Sequence, residues 1–116
     1  MSAVRKIITN KLRIEDKFID QIIVGSKVST IRYGLIFLSD KLISFNSEER
    51  RINVILERVD YSKSFGDLTQ ENALNDGFQS LEELKKELKK FYPDILDSDQ
   101  ISIIHFKYAE NLNNDN

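Results

Sequence analysis

A lysine, a threonine and an arginine stand close together in this chain, as Lys27, Thr30 and Arg32. Amide hydrolysis needs a nucleophile, a base and a group that holds the oxyanion. The threonine hydroxyl can supply the nucleophile, and the lysine can supply the base once its amine is neutral. The arginine is an anion clamp, because a guanidinium grips a phosphate through two hydrogen bonds. The cluster therefore suits either catalysis or the binding of a phosphate-bearing ligand.

The cluster lies where a predicted helix gives way to a predicted strand. Apolar residues recur at helical spacing over residues 14–24. Gly25 follows them, and glycine favours the left-handed conformation that ends many helices. Residues 28–33 are rich in β-branched side chains and predict a strand.

The two elements constrain how the three side chains meet. Strand alternation puts Thr30 and Arg32 on one face and Lys27 on the other. Lys27 therefore joins Thr30 only if residues 25–27 belong to the turn after the helix. Burial or a neighbouring cation such as Arg32 would lower the pKa of the lysine, which catalysis as a base requires.

The rest of the chain predicts a mixed architecture. Strands are predicted over 35–46 with a break at Ser39-Asp40, over 51–61 and over 101–108, and helices over about 69–75 and 81–91. The order is helix, strands, two helices and strand, which predicts an α+β fold rather than alternating βαβ units.

The sequence-based prediction divides the chain into three segments. Residues 1–11 are either a basic arm or a first strand, residues 12–110 form one domain, and residues 111–116 form a disordered polar tail.

Ser80 and Glu83 have the spacing of a capping box at the start of the last predicted helix. The predicted buried stripe of that helix consists of Leu81, Leu84, Leu88 and Phe91.

Composition excludes several classes of function. The 116 residues carry 17 basic and 19 acidic side chains, for a net charge of −2, which argues against binding long duplex DNA. The chain has no cysteine and one histidine, so we expect no disulfide, no metal site and no cofactor. No apolar run is long enough for a membrane span or a secretory signal, and we expect a cytoplasmic protein. The sequence does not indicate which oligomeric state the protein adopts.

Four segments in order resemble the ASCH domain, a PUA-like family of small β-barrels that includes stand-alone bacterial proteins. The resemblance covers about residues 12–108. Its segments are Gly25-x-Lys27-x-x-Thr30-Ile31-Arg32, the Ser39-Asp40 turn, Leu68-Thr69 followed by Asp76-Gly77-Phe78, and Leu81-x-x-Leu84 followed by Tyr92-Pro93 and Ile103-Ile104-His105-Phe106. It implies a PUA-like small β-barrel flanked by helices, with a cleft beside the Lys-x-x-Thr-x-Arg strand.

The resemblance also implies functions. The family is associated with RNA binding, and some small bacterial members are amidohydrolases that remove the acetyl group of N(4)-acetylcytidine with a lysine, a threonine and a glutamate. Lys27 and Thr30 match the first two, and the acid falls on Asp76. At least one member is described as a ribonuclease; without paired histidines, Lys27 would have to provide its acid–base chemistry.

This chain departs from the family pattern at two points. The common Gly-Asp turn is Ser39-Asp40, a mild change. The acid is an aspartate, whose carboxylate stands one methylene, about 1.5 Å, further back. A misplacement of about 1 Å can lower a rate roughly a hundredfold. Asp76 is therefore either the acid of the site, which would stabilise charged Lys27, or simply the stop of a helix.

Two hypotheses follow. In the first, a cleft lined by Lys27, Thr30, Arg32 and Asp76 binds RNA or a nucleotide, with Lys27 and Arg32 on phosphate and Tyr33 among the ligand-binding residues. In the alternative, the same cleft deacetylates a modified pyrimidine nucleoside with Lys27, Thr30 and Asp76 as catalytic residues; a ribonuclease is the weaker alternative. Candidates for stacking on a base are Tyr33, Tyr61, Phe65, Phe78 and Tyr92.

Overall fold

The computed structural model describes residues 6–113, and in it the chain has the predicted α+β architecture. In chain order the elements are β1 (Lys6–Thr9), β2 (Lys11–Arg13), α1 (Asp16–Val24), β3 (Ser29–Tyr33), β4 (Leu35–Leu38), β5 (Leu42–Asn46), β6 (Arg51–Asp60), a 3₁₀ turn (Phe65–Asp67), α2 (Gln70–Asn75), α3 (Leu81–Phe91), β7 (Ile101–Tyr108) and α4 (Glu110–Asn113).

A mixed five-stranded sheet in the order β2-β5-β6-β7-β3 curls into a half-barrel. β2 runs parallel to β5, and the other neighbours in this sheet are antiparallel. A register shift between Leu56 and Arg58 interrupts the pairing of β6 with β7, and such bulges bend a strand. β1 and β4 form a separate parallel pair. The helices flank the half-barrel, as the sequence predicts.

β7 connects the two parts of the hydrophobic core. Its Ile104 and Phe106 pack into a cluster with residues of α1 and the barrel strands. Its Ile101 and Ile103 pack into a second cluster with residues of α2 and α3. A strand buried on both faces must lie inside a sheet. β7 accordingly lies between β6 and β3, and it holds β3 against the rest of the sheet.

The chain ends differ in part from the sequence-based prediction. Of the first eleven residues, those the structure describes form β1 and the start of β2, and residues 1–5 lie outside the described part. Residues 111–113 belong to α4 rather than to a disordered tail, and residues 114–116 lie outside the described part. The Asn113 side chain accepts a hydrogen bond from the Asn53 backbone N–H (2.8 Å) and donates one to the Asn53 carbonyl (2.9 Å). These bonds tie α4 to β6.

α3 begins and ends as predicted, but Phe91, one residue of its predicted buried stripe, is exposed. The Ser80 hydroxyl caps the helix by accepting from the Glu83 N–H (3.1 Å), whereas the Glu83 carboxylate accepts from Gln79 and not from Ser80. Leu84 and Leu88 are buried, but Phe91 is 55% exposed, because this end of α3 overlooks a cleft rather than the core. Among the described residues, no helix is both long enough and apolar enough to cross a membrane.

Candidate functional site

A cleft of about 660 Å³ lies between α1, β3 and α3, beside the end of α2. Four of the residues singled out in the sequence line it together: Lys27, Thr30, Arg32 and Asp76. Lys27, Thr30 and Asp76 are buried, and Arg32 is half-buried. The structure thus gathers this predicted set at the bottom of one cavity.

Lys27 reaches this cavity because it belongs to a turn and not to the strand. Gly25 has φ +86° and ends α1 in the left-handed conformation. The backbone N–H groups of Ser26 and Lys27 both donate to the Gln21 carbonyl, at 3.0 and 3.1 Å. β3 begins two residues later, at Ser29. The strand alternation that would separate Lys27 from Thr30 therefore does not apply.

The Lys27 ammonium is held by Asp76 from across the cavity. It donates to the Asp76 backbone carbonyl (2.8 Å) and contacts the Asp76 carboxylate oxygen Oδ1 directly. Its Nζ also lies 5.1 Å from the centroid of the Phe18 ring, close enough for a cation–π contact. The two residues are only 4% and 3% exposed. The shorter aspartate thus reaches the lysine.

Burial acts on both members of this pair. It lowers the pKa of Lys27, and the positive charge of Arg32 lowers it further, while the Asp76 carboxylate opposes the shift. Burial also raises the pKa of Asp76, against the attraction of Lys27 and Arg32. Both shifts favour the neutral forms, a lysine amine and an aspartic acid. The lysine of this buried pair therefore loses its proton more readily than the lysine of an exposed ion pair would.

Thr30 is oriented by Arg32, two residues further along β3. The Arg32 Nε–H donates to the Thr30 hydroxyl oxygen (3.1 Å), so the hydroxyl keeps its own hydrogen to donate elsewhere. Burial lowers the pKa of Arg32, but a guanidinium stays protonated in proteins. Within the described residues, the Arg32 side chain forms no ion pair with a carboxylate. Arg32 lines the cleft together with Lys27 and Asp76.

Gly77 allows the end of α2 to approach Lys27. It has φ +89°, and its N–H donates to the Leu74 carbonyl (3.0 Å). A Cβ at this position would collide with Gln21 Oε1 and lie 3.3 Å from the Lys27 Cβ. The Val28 N–H donates to the Asn75 carbonyl (2.8 Å), which joins the two turns directly. Asp76 is therefore both the C-cap of α2 and the partner of Lys27.

Tyr33, predicted to bind the ligand, does not line the cleft. It follows Arg32 on β3, so alternation turns it to the opposite face. Its ring packs edge-on against Tyr92, with centroids 5.5 Å apart. Of the other predicted stacking candidates, Phe78 and Tyr92 line the cleft, whereas Tyr61 and Phe65 do not.

Two lining residues on α3, Glu87 and Phe91, are not among the site residues that the sequence predicts. The helical periodicity places Phe91 in the core instead. Glu87 lies three residues after Leu84 and four before Phe91, on the apolar face of the helix. A charged residue inside such a stripe is the signal that could have identified it.

Among the charged residues that the structure describes in the lining of the cleft, carboxylates outnumber cations. The cationic side chains are those of Arg13, Lys27 and Arg32. The carboxylates are those of Glu15, Asp16, Glu48, Glu49, Asp76 and Glu87. A long polyanion meets repulsion at such a surface, whereas a small ligand that enters the cleft meets the cations at its bottom.

Arg50 fixes one edge of this acidic lining. Its guanidinium donates to the Asp16 carboxylate at 3.0 Å through both Nε and one terminal nitrogen, and to Asp20 at 2.8 Å. Ser47, in the same turn, donates its hydroxyl to Asp16 (2.6 Å). These bonds join the β5–β6 turn, which carries Glu48 and Glu49, to the start of α1. The pKa values of Asp16 and Asp20 are lowered chiefly by their hydrogen bonds to Arg50.

No family model and no curated protein matches this chain. Among solved structures, it is similar to an ASCH domain from Lactobacillus crispatus, with a TM-score of 0.69 and 12% identity, covering 89% of this chain and 79% of that one. It is also similar to the hypothetical protein PH0355, with a TM-score of 0.63 and 19% identity, covering 90% of this chain and 100% of that one. Likeness at such low identity shows the fold alone, and that fold is the one the sequence resemblance implies.

Proposed function

We propose that this chain, which folds as an ASCH domain, binds a pyrimidine nucleoside in its cleft and hydrolyses an acyl amide on the base, as in N(4)-acetylcytidine. The observation that carries the proposal is the convergence of the Thr30 hydroxyl, the Lys27 amine and the Asp76 carboxylate in one buried corner. The cleft volume of about 660 Å³ is in the usual range for small-molecule sites.

In the first step, Thr30 Oγ1 attacks the acetyl carbonyl carbon while its proton passes to neutral Lys27 Nζ. The carbonyl oxygen becomes an oxyanion, and the Arg32 guanidinium supplies the positive charge to stabilise it. The tetrahedral intermediate then expels the base nitrogen, which takes the proton from Lys27. Cytidine leaves, and the acetyl group remains as an ester on Thr30.

In the second step, water attacks that ester and gives its proton to Lys27. Collapse of the second intermediate returns the proton to Thr30 and releases acetic acid, which ionises to acetate in solution. The sum is one amide and one water converted to cytidine, acetate and a proton. Lys27 acts as base and acid in turn, and Asp76 orients its amine through the contacts described above.

The mechanism needs a neutral lysine, and the burial of Lys27 favours it. The pKa of Lys27 is lowered chiefly by desolvation, which suits a base working near neutral pH. We therefore expect the reaction rate to rise with pH as Lys27 loses its proton. Replacing Asp76 with asparagine removes the opposing negative charge and should move this rise to lower pH.

Binding of RNA or of a nucleotide is the second candidate function. It is favoured by Arg32, which makes no ion pair with a described carboxylate and can grip a phosphate. The excess of carboxylates in the lining favours a single nucleotide over a long strand. Cytoplasmic location and cleavage of RNA stay predictions from the sequence.

The test is incubation of the protein with N(4)-acetylcytidine, with chromatography for cytidine and acetate. Thr30→Val should abolish turnover and spare affinity, Lys27→Ala should abolish turnover, and Lys86→Ala on the exposed side of α3 should change neither. No product at high protein concentration would overturn the hydrolase. Short oligonucleotides are then the probes: Arg32→Ala should weaken their binding and flatten its salt dependence if the cleft holds phosphate. Their cleavage would indicate a ribonuclease.

A further inference from the structure

We infer that the α3 wall of the cleft, formed by Leu84, Glu87, Leu88 and Phe91, reads the nucleobase of the ligand. Glu87 accepts a hydrogen bond from the exocyclic N–H of a cytosine-type base, and Phe91 stacks on the ring. The inference rests on the proposed function. It adds the residues that would distinguish one pyrimidine from another.

Glu87 stands out because it has an unused hydrogen-bonding atom. In the part of the chain that the structure describes, three enclosed side-chain oxygens have no hydrogen-bond partner: Gln21 Oε1, Ser29 Oγ and Glu87 Oε1. Of these three residues, only Glu87 lines the cleft. Leaving a buried acceptor unpaired is costly, and a ligand that supplies a donor removes that cost.

Two lysines form ion pairs with the Glu87 carboxylate, but neither gives Oε1 a hydrogen bond. Lys17 Nζ lies 3.6 Å from Oε1 and Lys90 Nζ lies 3.5 Å from Oε2. The two lysine side chains are 58% and 60% exposed, so water screens both ion pairs, while that of Glu87 is only 15% exposed. The torsion that turns a terminal carboxylate is broad, so in this proposal the carboxylate turns Oε1 toward the ligand when the cleft is occupied.

The chemistry of a carboxylate determines which atoms of the base it can bind. An ionised carboxylate only accepts hydrogen bonds, so Glu87 binds an N–H or O–H and repels a carbonyl oxygen. Glutamate and aspartate are established acceptors for the N4 amino group of cytosine. Cytidine keeps a hydrogen on that nitrogen after acetylation, whereas uridine has a carbonyl oxygen at the same position. Glu87 therefore favours cytidine derivatives over uridine.

Phe91 supplies the second half of the subsite. It lies four residues after Glu87 on the same face of α3, it lines the cleft, and it is 55% exposed. Stacking of an aromatic ring on a base tolerates any sequence, since every base has a π-face. Phe91 should therefore add affinity without selectivity, whereas Glu87 should add selectivity.

The test measures binding of cytidine and uridine, which the proposed reaction does not consume, by calorimetry or NMR titration. The native protein should prefer cytidine by about tenfold or more, the scale of one good base-edge contact. Glu87→Gln should bring the two affinities to within about twofold of each other, since the charged acceptor is lost. Glu82→Gln on the exposed side of α3 is the matched control and should keep the preference. Phe91→Ala should weaken both nucleosides by the same factor, about fivefold or more.

Each outcome decides the inference. An unchanged preference in Glu87→Gln, or an equal loss for both nucleosides there, would show that Glu87 is only structural. Acetylcytidine hydrolysis by a native protein that shows no preference for cytidine would overturn the inference and leave the proposed function standing. If the native protein neither binds a nucleoside nor hydrolyses acetylcytidine, both fall.

Discussion

The Lys27–Asp76 pair should contribute little net stability to the fold that contains it. Both side chains are almost wholly buried, and burial shifts both pKa values toward the neutral forms. Removing one partner leaves the other charged and unpaired. Replacing both with apolar side chains removes the desolvation of two charges at once. We therefore expect Lys27→Met and Asp76→Val to be strongly destabilising alone and nearly neutral together.

The expected magnitudes follow from the contacts. Each single substitution should lower the free energy of unfolding by about 3–5 kcal/mol. The double substitution should gain about 1–4 kcal/mol from the removal of the buried charges. It should lose about 1–3 kcal/mol because the Asp76 carbonyl, which accepts from Lys27 at 2.8 Å, no longer has that donor. The two effects largely offset each other.

The assay is urea denaturation at pH 7, followed by circular dichroism for the native chain, both single variants and the double variant. The slope with urea should stay constant across the set, which makes the midpoints comparable. The double variant should be about 3 kcal/mol more stable than either single variant. It should also lack all hydrolytic activity, which separates the contribution of the pair to function from its contribution to stability.

One result would refute this reasoning. If the double variant loses as much stability as the two single variants added together, the coupling energy between the two residues is zero, and neither charge compensates the burial of the other. Their proximity would then no longer support a catalytic role. A lysine that keeps its charge throughout the neutral range in an NMR titration would lead to the same conclusion.

Three further outcomes are expected. Gly77→Ala and Gly25→Ala should each lose about 1–2 kcal/mol of stability from a left-handed alanine. Only Gly77→Ala should also lower activity, because only its Cβ meets Gln21 and Lys27; equal activity in the two variants would contradict this. Arg50→Ala should lower the melting temperature at neutral pH and have little effect at acid pH. The pKa of Asp16 is lowered in the fold, so its bond to Arg50 stabilises the fold above the ordinary pKa of 3.8 and is lost as the pH falls through the lowered value; a difference that does not shrink as the pH falls below 3.8 would contradict this. A Thr30→Val protein should bind acetylcytidine with native affinity and never accumulate acetyl-enzyme, as mass spectrometry can check.

Local signals in the sequence predicted the elements around the site. The apolar spacing of α1 and the glycine after it place the helix end correctly, because both are properties of a few adjacent residues. β-branched residues predicted β3 for the same reason. From the sequence, Lys27 can join Thr30 only if residues 25–27 form a turn. The structure has that turn, held by hydrogen bonds from the Ser26 and Lys27 N–H groups to the Gln21 carbonyl.

Local sequence signals could not predict contacts between residues that lie far apart in the chain. The contact of Lys27 with Asp76 spans 49 residues, and only the family resemblance suggested it. The parallel pairing of β1 with β4 and of β2 with β5 was not predicted either. Phe91 shows a related limit. Periodicity identifies the apolar face of a helix, but it does not say whether core or cleft lies opposite each residue on that face.

The position of β7 has a consequence for how the protein is made on the ribosome. β3 carries Thr30, and in the five-stranded sheet its only neighbour is β7, which is also the last strand of the described chain. Thr30 pairs with Ile104, which is translated 74 residues later. At about 5–20 residues per second, the nascent β3 waits roughly 4–15 s for its partner. The cleft is therefore assembled only after β7 has been translated, and a chain that stalls before β7 exposes an unpaired β3 edge to aggregation.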